Sequence, residues 1–272
     1  MNRLENLDYC IRYLLRQDNA HAEVPPTLEG RQRLLRALMN VWQPQPLSGQ
    51  FLQAQDAELQ AQLQDKGVVS LEEIAASGNP KRSTRNAQLY LWQGDITRLH
   101  VDAIVNAANS MGLGCWHPLH ACIDNAIHSA AGLQLRQECN RVLGGGEIAT
   151  GKAIITPAYN LPSRYVVHTV GPIIPDGMPT QEQDELLAAC YRHCLHLAEQ
   201  AGCRSIAFCC ISTGEFHFPN RRAAEIAVAT VIRLLAAADT PMNVVFNVFK
   251  DTDYDIYNEL LETCPVVEHS HT

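Results

Sequence analysis

From residue 87 onward, short apolar runs alternate with longer stretches of helical period. AQLYLWQGDI (87–96), DAIVNAAN (102–109), KAIITPA (152–158), RYVVHTVG (164–171), RSIAFCCIS (204–212) and NVVFNVF (243–249) are rich in Val, Ile and aromatics and read as strands. Between them IDNAIHSAAGLQLRQEC (123–139), QEQDELLAACYRHCLHLAEQAG (181–202), NRRAAEIAVATVIRLLAAA (220–238) and DYDIYNELLE (253–262) read as helices. The strands are nearly continuous in apolar residues rather than alternating, as a sheet covered on both faces requires. The pattern therefore predicts a three-layer α/β/α domain. In such folds ligands bind beyond the carboxyl ends of the strands, so the strand-to-helix loops are where chemistry is expected.

The first 85 residues have a different texture. Leu28, Leu34, Leu35, Leu38 and Val41 recur at helical spacing in TLEGRQRLLRALMNVW (27–42). The polar stretch FLQAQDAELQAQLQDKG (51–67) follows, with Gly67 placed as a helix C-cap, and QPQPLSG (43–49) between the two reads as a turn. This is a small helical appendage in which no chemistry is legible. The polar seam GNPKRSTRN (78–86) divides the chain into a helical N-terminal extension, 1–85, and an α/β domain, 86–272.

Charge narrows the function classes. The net charge is −8 and no Lys/Arg run exceeds a pair such as Arg221–Arg222, so the field that non-specific nucleic-acid binding needs is absent. A nucleotide-sized ligand held by backbone amides needs no such field. No run approaches the roughly 20 apolar residues of a membrane span, and the N-terminus MNRLENLDYC has no apolar signal core. The expected location is the cytoplasm. The ten cysteines, several inside apolar runs as Cys209 and Cys210 are, read as reduced buried thiols, with metal ligation open for a cluster.

Three loops carry candidate chemistry. SMGLGCWHPLHACIDNAIHSAAG (110–132) packs Cys115, His117, His120 and Cys122 into eight residues. Two thiolates and one imidazole form the ligand set of a tetrahedral metal with one open position, and a turn merely rich in Cys and His fits the spacing as well. Asp124 and Asn125 then open a helix. An Asp there is a cap, or a catalyst acting on what the metal holds, and His128 shares its face at i+4. The second loop, LGGGEIATGKAIITPAYNLP (143–162), has three glycines that allow a diphosphate cradle or a plain glycine-rich hairpin. The third, ISTGEFHFPNRRAAEIA (211–227), offers Ser212, Thr213 and Gly214, with Phe216 or Phe218 either stacking on a ring or covering the core.

GDIT (94–97), VDAIVNAAN (101–109), TGKAIITPAY (150–159), RYVVHTVGP (164–172) and STGEF (212–216) resemble, in order, the successive motifs of macrodomains. GCWHPLHACIDNAIHSAAG (114–132) resembles the zinc-dependent branch of that family, which often has a helical N-terminal extension. The resemblance implies a three-layer α/β/α macrodomain with a mixed central sheet. It implies that Asp95 and the Ile96 amide meet adenine, with Phe249 against its ring. Amides around Thr150 and Gly151, and those of Ser212, Thr213, Gly214 and Glu215, would hold the diphosphate. Phe216 and Asn109 would meet the distal ribose. Cys115, His120 and Cys122 would hold Zn2+, with His117 a neighbour, and Cys122, Ile123, Asp124 and Asn125 would line the substrate.

The resemblance also implies a zinc-dependent hydrolase of the ADP-ribosylglycohydrolase type, with Asp124 and Asn109 catalytic, removing mono-ADP-ribose from proteins. Its implied partners are ADP-ribosylated proteins, ADP-ribose and, in bacteria, a sirtuin-like ADP-ribosyltransferase and a lipoyl-carrier protein. The competing readings are a non-catalytic ADP-ribose reader, a deacetylase or phosphatase of small ADP-ribose derivatives, and a zinc that only staples the loop.

Overall fold

The computed structural model describes residues 2–263 apart from 18, 79, 85 and 239. The expected domain tail 264–272, with Cys264, lies outside the described residues, as do positions 79 and 85 of the seam. In chain order the elements are α1 (Arg3–Gln17), α2 (Leu28–Val41), α3 (Gly49–Lys66), β1 (Val69–Ser70), α4 (Leu71–Ala76), β2 (Arg82–Ser83), β3 (Gln88–Gln93), a 3-10 turn (Ile96–Arg98), β4 (Leu99–His100) and β5 (Ala103–Ala107). They continue with α5 (Ile123–Ala131), α6 (Leu133–Leu143), β6 (Ala153–Pro157), β7 (Tyr165–Thr169), α7 (Gln181–Gln200), β8 (Ser205–Phe208), α8 (Asn220–Ala237), β9 (Asn243–Val248) and α9 (Asp251–Thr263).

Seven strands form one mixed sheet in the order β2-β3-β9-β8-β5-β7-β6. The five central strands are mutually parallel, and each edge strand pairs antiparallel. Leu89, Val105, Val167, Ile206 and Val245 are fully buried, as continuous apolar strands demand when both faces are covered. One face carries α7, α8 and α9, packed side by side; the other carries α5 and α6. All six expected strands are present. The single helix expected over 123–139 is two, because Gly132 adopts φ +96 and its N–H closes α5 on the His128 carbonyl.

The extension has its own core. Leu7, Ile11, Leu14, Leu35, Trp42 and Phe51 are buried together, and α6 contributes Leu133. Helix α1 was not legible in the sequence reading. The seam is also more than a linker, since β2 adds an edge to the main sheet and Ile74 of α4 lies in the main core. The helical layer ends at Lys66, where Gly67 caps α3 by donating its N–H to the Leu63 carbonyl.

The layer docks through polar groups. Arg136 of α6, 2% exposed, donates from Nη1 to the carbonyls of Met39, Asn40 and Trp42 at 3.1, 3.0 and 2.7 Å. These lie at the C-terminus of α2, where helix carbonyls lack intrahelical partners. Gln55 of α3 accepts from the Leu133 amide, and Asp56 accepts from Asn160 and Gln134. Among the described residues every cysteine is a free thiol, and no helix is long and apolar enough to cross a membrane.

Candidate active site

Because β3, β9, β8, β5 and β7 are parallel, their carboxyl ends collect along one edge of the sheet. Asp95 follows β3, Phe249 follows β9, Ser212 to Phe216 follow β8, and Asn109 with the Cys-His loop follows β5. The expected residues therefore converge, although they span more than 150 positions of sequence.

Asp124 sits in the first turn of α5 and is 5% exposed. Its Oδ1 accepts from Asn106 Nδ2 at 2.7 Å, and its Oδ2 from Asn109 Nδ2 at 3.2 Å. Burial pushes its pKa up to about 6, against the Asn106 hydrogen bond and the charge of Arg136. Behind it runs a polar chain that the sequence reading missed. The β5–β7 register sets Asn106 beside His168, whose Nδ1 lies 3.1 Å from Asn106 Nδ2 and whose Nε2 lies 3.0 Å from Thr156 Oγ1. Burial pulls His168 down to about 3, so the ring is neutral. It accepts from the Asn106 amide at Nδ1 and donates to Thr156 at Nε2. This chain fixes the Asn106 amide, which in turn fixes Asp124. The usable signal was a pair of polar residues in the middle of two apolar strands.

His128 lies one turn beyond Asp124, its Nε2 3.6 Å from Asp124 Oδ1, and burial holds it well below its ordinary pKa. Its ring packs against Gly114. A Cβ at that position, where φ is +85, would stand 2.8 Å from His128 Cγ. His128, Cys139 and His168 are close enough to form a metal set, but both nitrogens of His168 are engaged by Asn106 and Thr156.

Cys115, His120 and Cys122 offer three ligand atoms within 4.8 Å of one another. Cys115 Sγ lies 3.6 Å from His120 Nδ1. A tetrahedral ion with bonds of about 2.3 Å to sulfur and about 2.0 Å to nitrogen requires a separation of roughly 3.5 Å, so the pair fits. Burial, reinforced by Cys115 and Asp124, pushes the Cys122 thiol up to about 12 against its hydrogen bond from the Asn125 amide. A cation at this position would offset that penalty. His117 is exposed and its ring stands 5.8 Å from that of His120, outside the three-ligand group. His120 Nε2, facing away from the thiols, lies 3.7 Å from Glu215 Oε1.

The remaining positions divide. Partial burial raises Asp95, but Thr97 and Lys66 outweigh it and hold its carboxyl below the usual range. Lys66 of the extension contacts its Oδ2 at 3.1 Å. The Ile96 amide has no partner among the described residues, and Phe249 is 76% exposed, its ring open to a planar partner. The amides of Ser212, Gly214, Glu215 and Phe216 have no protein partner among the described residues, whereas Thr213 donates to Cys210. Buried Ser212 Oγ and Asn109 Oδ1 are also unpaired. Phe216 is half-buried over Ala108, Ile148 and Val170, and Phe218 is core.

Two of the expected positions are already engaged within the protein. Gly151 donates its amide to the Val170 carbonyl at 2.7 Å, leaving only Thr150 unpaired of those two amides. Asn125 is fully buried, its Oδ1 taken by Arg36 and Ser129 and its Nδ2 by the His117 carbonyl, so its side chain braces the loop. Ile123 is half-buried at the start of α5. The triple glycine ends α6, where Gly144 is the C-cap.

Residues 105–227 match the Macro domain family model. The chain is also 50% identical over 265 residues to a protein-ADP-ribose hydrolase of Treponema medium, an alignment spanning 96% of this chain and all of that relative. The chain belongs to the macrodomain family. The Oceanobacillus iheyensis macrodomain solved with ADP superposes on this macrodomain with a TM-score of 0.61 at 40% identity, covering 66% of this chain and 93% of that one. The Trypanosoma brucei macrodomain in complex with ADP-ribose gives a TM-score of 0.63 at 29% identity, covering 88% and 97%.

Proposed function

We propose that this macrodomain is a zinc-dependent hydrolase that removes mono-ADP-ribose from modified proteins. The observation that carries this reading is Asp124: a buried carboxylate held by two asparagines, two residues from Cys122 of a cluster that brings three ligand atoms together. An ADP-ribose reader needs neither feature. The relatives that are protein-ADP-ribose hydrolases support the hydrolase part of this reading.

Cys115, His120 and Cys122 would hold the ion, which when bound supplies Lewis acidity to a substrate oxygen. Asp95 and the Ile96 amide receive the adenine edge while Phe249 covers its face. The unpaired amides at Ser212 and Gly214 to Phe216 receive the diphosphate without any cationic side chain. Phe216 packs on the distal ribose, and Asn109 Oδ1, a buried acceptor lacking a donor, takes a hydroxyl of that sugar. Asn109 thereby aligns the anomeric end with Asp124, whose carboxylate takes the proton of the attacking group. ADP-ribosylated proteins are the proposed substrates and ADP-ribose the product. A sirtuin-like ADP-ribosyltransferase and a lipoyl-carrier protein are the proposed partners, and the cytoplasm is the proposed location.

The test follows free ADP-ribose released from proteins mono-ADP-ribosylated on aspartate, glutamate or serine. The wild-type protein should release it. Asp124→Ala should lose about 10²–10⁴-fold in rate while ADP-ribose affinity changes far less. Tight binding of ADP-ribose with no release from any linkage would establish a reader instead.

A further inference from the structure

The loop from Ala108 to Cys122 contains no helix or strand, yet it holds all three candidate ligands. Its own backbone contributes little order, chiefly Gly112 to the Asn109 carbonyl and His120 to the His117 carbonyl. A segment of this length stays in one conformation only if other groups hold it. The first part of the loop is held by the α/β domain, Ala108 donating to the Thr169 carbonyl and Ile148 to the Ser110 carbonyl, while the stretch from 116 to 120 is tied to α2, in the extension.

Asn40 is 1% exposed, and its Oδ1 accepts from the Leu119 amide at 2.9 Å. Leu119 stands in the left-handed region at φ +60, a conformation a leucine keeps only when its surroundings enforce it. The Asn40 amide is oriented from the other side. Its Nδ2 donates to Ser129 Oγ at 3.0 Å, and that hydroxyl donates to Asn125 Oδ1 at 3.2 Å. One turn earlier Arg36 donates to Asn125 Oδ1 from Nε and Nη2 at 3.1 and 2.7 Å, and from Nη2 to the His120 carbonyl at 3.4 Å. Asn125 passes the restraint on to the His117 carbonyl at 2.9 Å. Trp116 lies under Arg136, 4.2 Å from guanidinium carbon to ring centroid, and Arg136 is bound to the last carbonyls of α2. Residues 116, 117, 119 and 120 are therefore each fastened, directly or through one intermediary, to α2.

We propose that Asn40 and Arg36 are positioning residues for the Cys115–His120–Cys122 site, so that the extension completes the metal site rather than accompanying it. This rests on the metal reading above. Neither residue reaches a ligand side chain; both act through the loop backbone.

The experiment titrates cobalt(II) into the metal-free full-length protein and follows thiolate-to-cobalt charge transfer and the d–d bands. Thermal melting of each metal-free variant is recorded alongside. The wild-type protein should show the spectrum of a tetrahedral thiolate site. Asn40→Ala should keep its cooperative melt yet bind cobalt about 10–100-fold more weakly, the range for loss of groups that orient ligands. Arg36→Ala, at a half-buried position, should weaken binding less, about 3–10-fold, and decides the matter if Asn40→Ala does not fold. Wild-type affinity in the variants would overturn the positioning role and leave the metal reading intact. Absence of thiolate charge transfer in the wild-type protein would overturn both.

Discussion

Arg136 joins α6 to the end of α2 and to Trp116 of the Cys-His loop, and replacing it with methionine removes the join without leaving a large void. The side chain is 2% exposed and burial lowers its pKa to about 10, so it remains charged at neutral pH. The two hydrogens of its Nη1 are shared, as charge-assisted hydrogen bonds, among the carbonyls of Met39, Asn40 and Trp42. Arg136→Met leaves those oxygens without donors at about 1–3 kcal/mol each. Lost stacking on Trp116 adds about 0.5–2 kcal/mol. Against this, a neutral side chain no longer has to be desolvated as an ion, which returns several kcal/mol. The net expectation is a loss of about 3 kcal/mol. For a chain of this size that corresponds to roughly 6–12 °C in Tm, at about 2–4 °C per kcal/mol. Urea unfolding followed by both tryptophan fluorescence and far-UV circular dichroism measures it and checks that the transitions coincide. A change under about 1 kcal/mol would refute the reasoning, since the α2 carbonyls would then be satisfied without Arg136.

Three further outcomes follow from the same geometry. Phe249→Ala should weaken ADP-ribose binding by calorimetry about 5–150-fold, because base stacking on an aromatic contributes about 1–3 kcal/mol, and the exposed position should leave stability within about 0.5 kcal/mol. Gly114→Ala forces a Cβ toward the His128 ring at a positive φ. It should cost about 1–3 kcal/mol in unfolding free energy and lower turnover on modified protein; unchanged turnover would show that the loop tolerates displacement. Asn106→Ala leaves Asp124 Oδ1 and His168 Nδ1 without their shared donor, so stability should fall by about 2–4 kcal/mol, with kcat falling more than ADP-ribose affinity; parallel losses would make Asn106 purely structural.

What the sequence disclosed depended on how far each signal is local. The strands were legible because a sheet covered on both faces needs unbroken apolar runs, and Leu89, Val105 and Val245 are buried as that rule demands. The ligand cluster was legible because its three members lie within eight residues. The break at Gly132 was not, since a single glycine is tolerated inside many helices. Helix α1 did carry a local signal, Asn2 and Glu5 capping its head reciprocally at 3.0 and 2.8 Å, but its apolar positions Leu7, Ile11 and Leu14 gain their meaning only from packing against α2 and α3. Asn125 illustrates the limit most sharply: the family resemblance placed it along the substrate, but Arg36, 89 residues earlier, occupies its side-chain oxygen. The role of the extension lay in such pairs. Arg36 and Asn40 look like ordinary polar members of an amphipathic helix until α2 is packed against α5.

The measurement that tests the central claim most directly is release of ADP-ribose from mono-ADP-ribosylated protein before chelation, after chelation and after zinc is returned. The account predicts release that stops when the metal is stripped and recovers with zinc, while the stripped protein still binds ADP-ribose through its adenine and diphosphate loops. Undiminished release by protein verified free of metal would contradict it, and would leave Asp124 and its two asparagines to perform the hydrolysis without an ion.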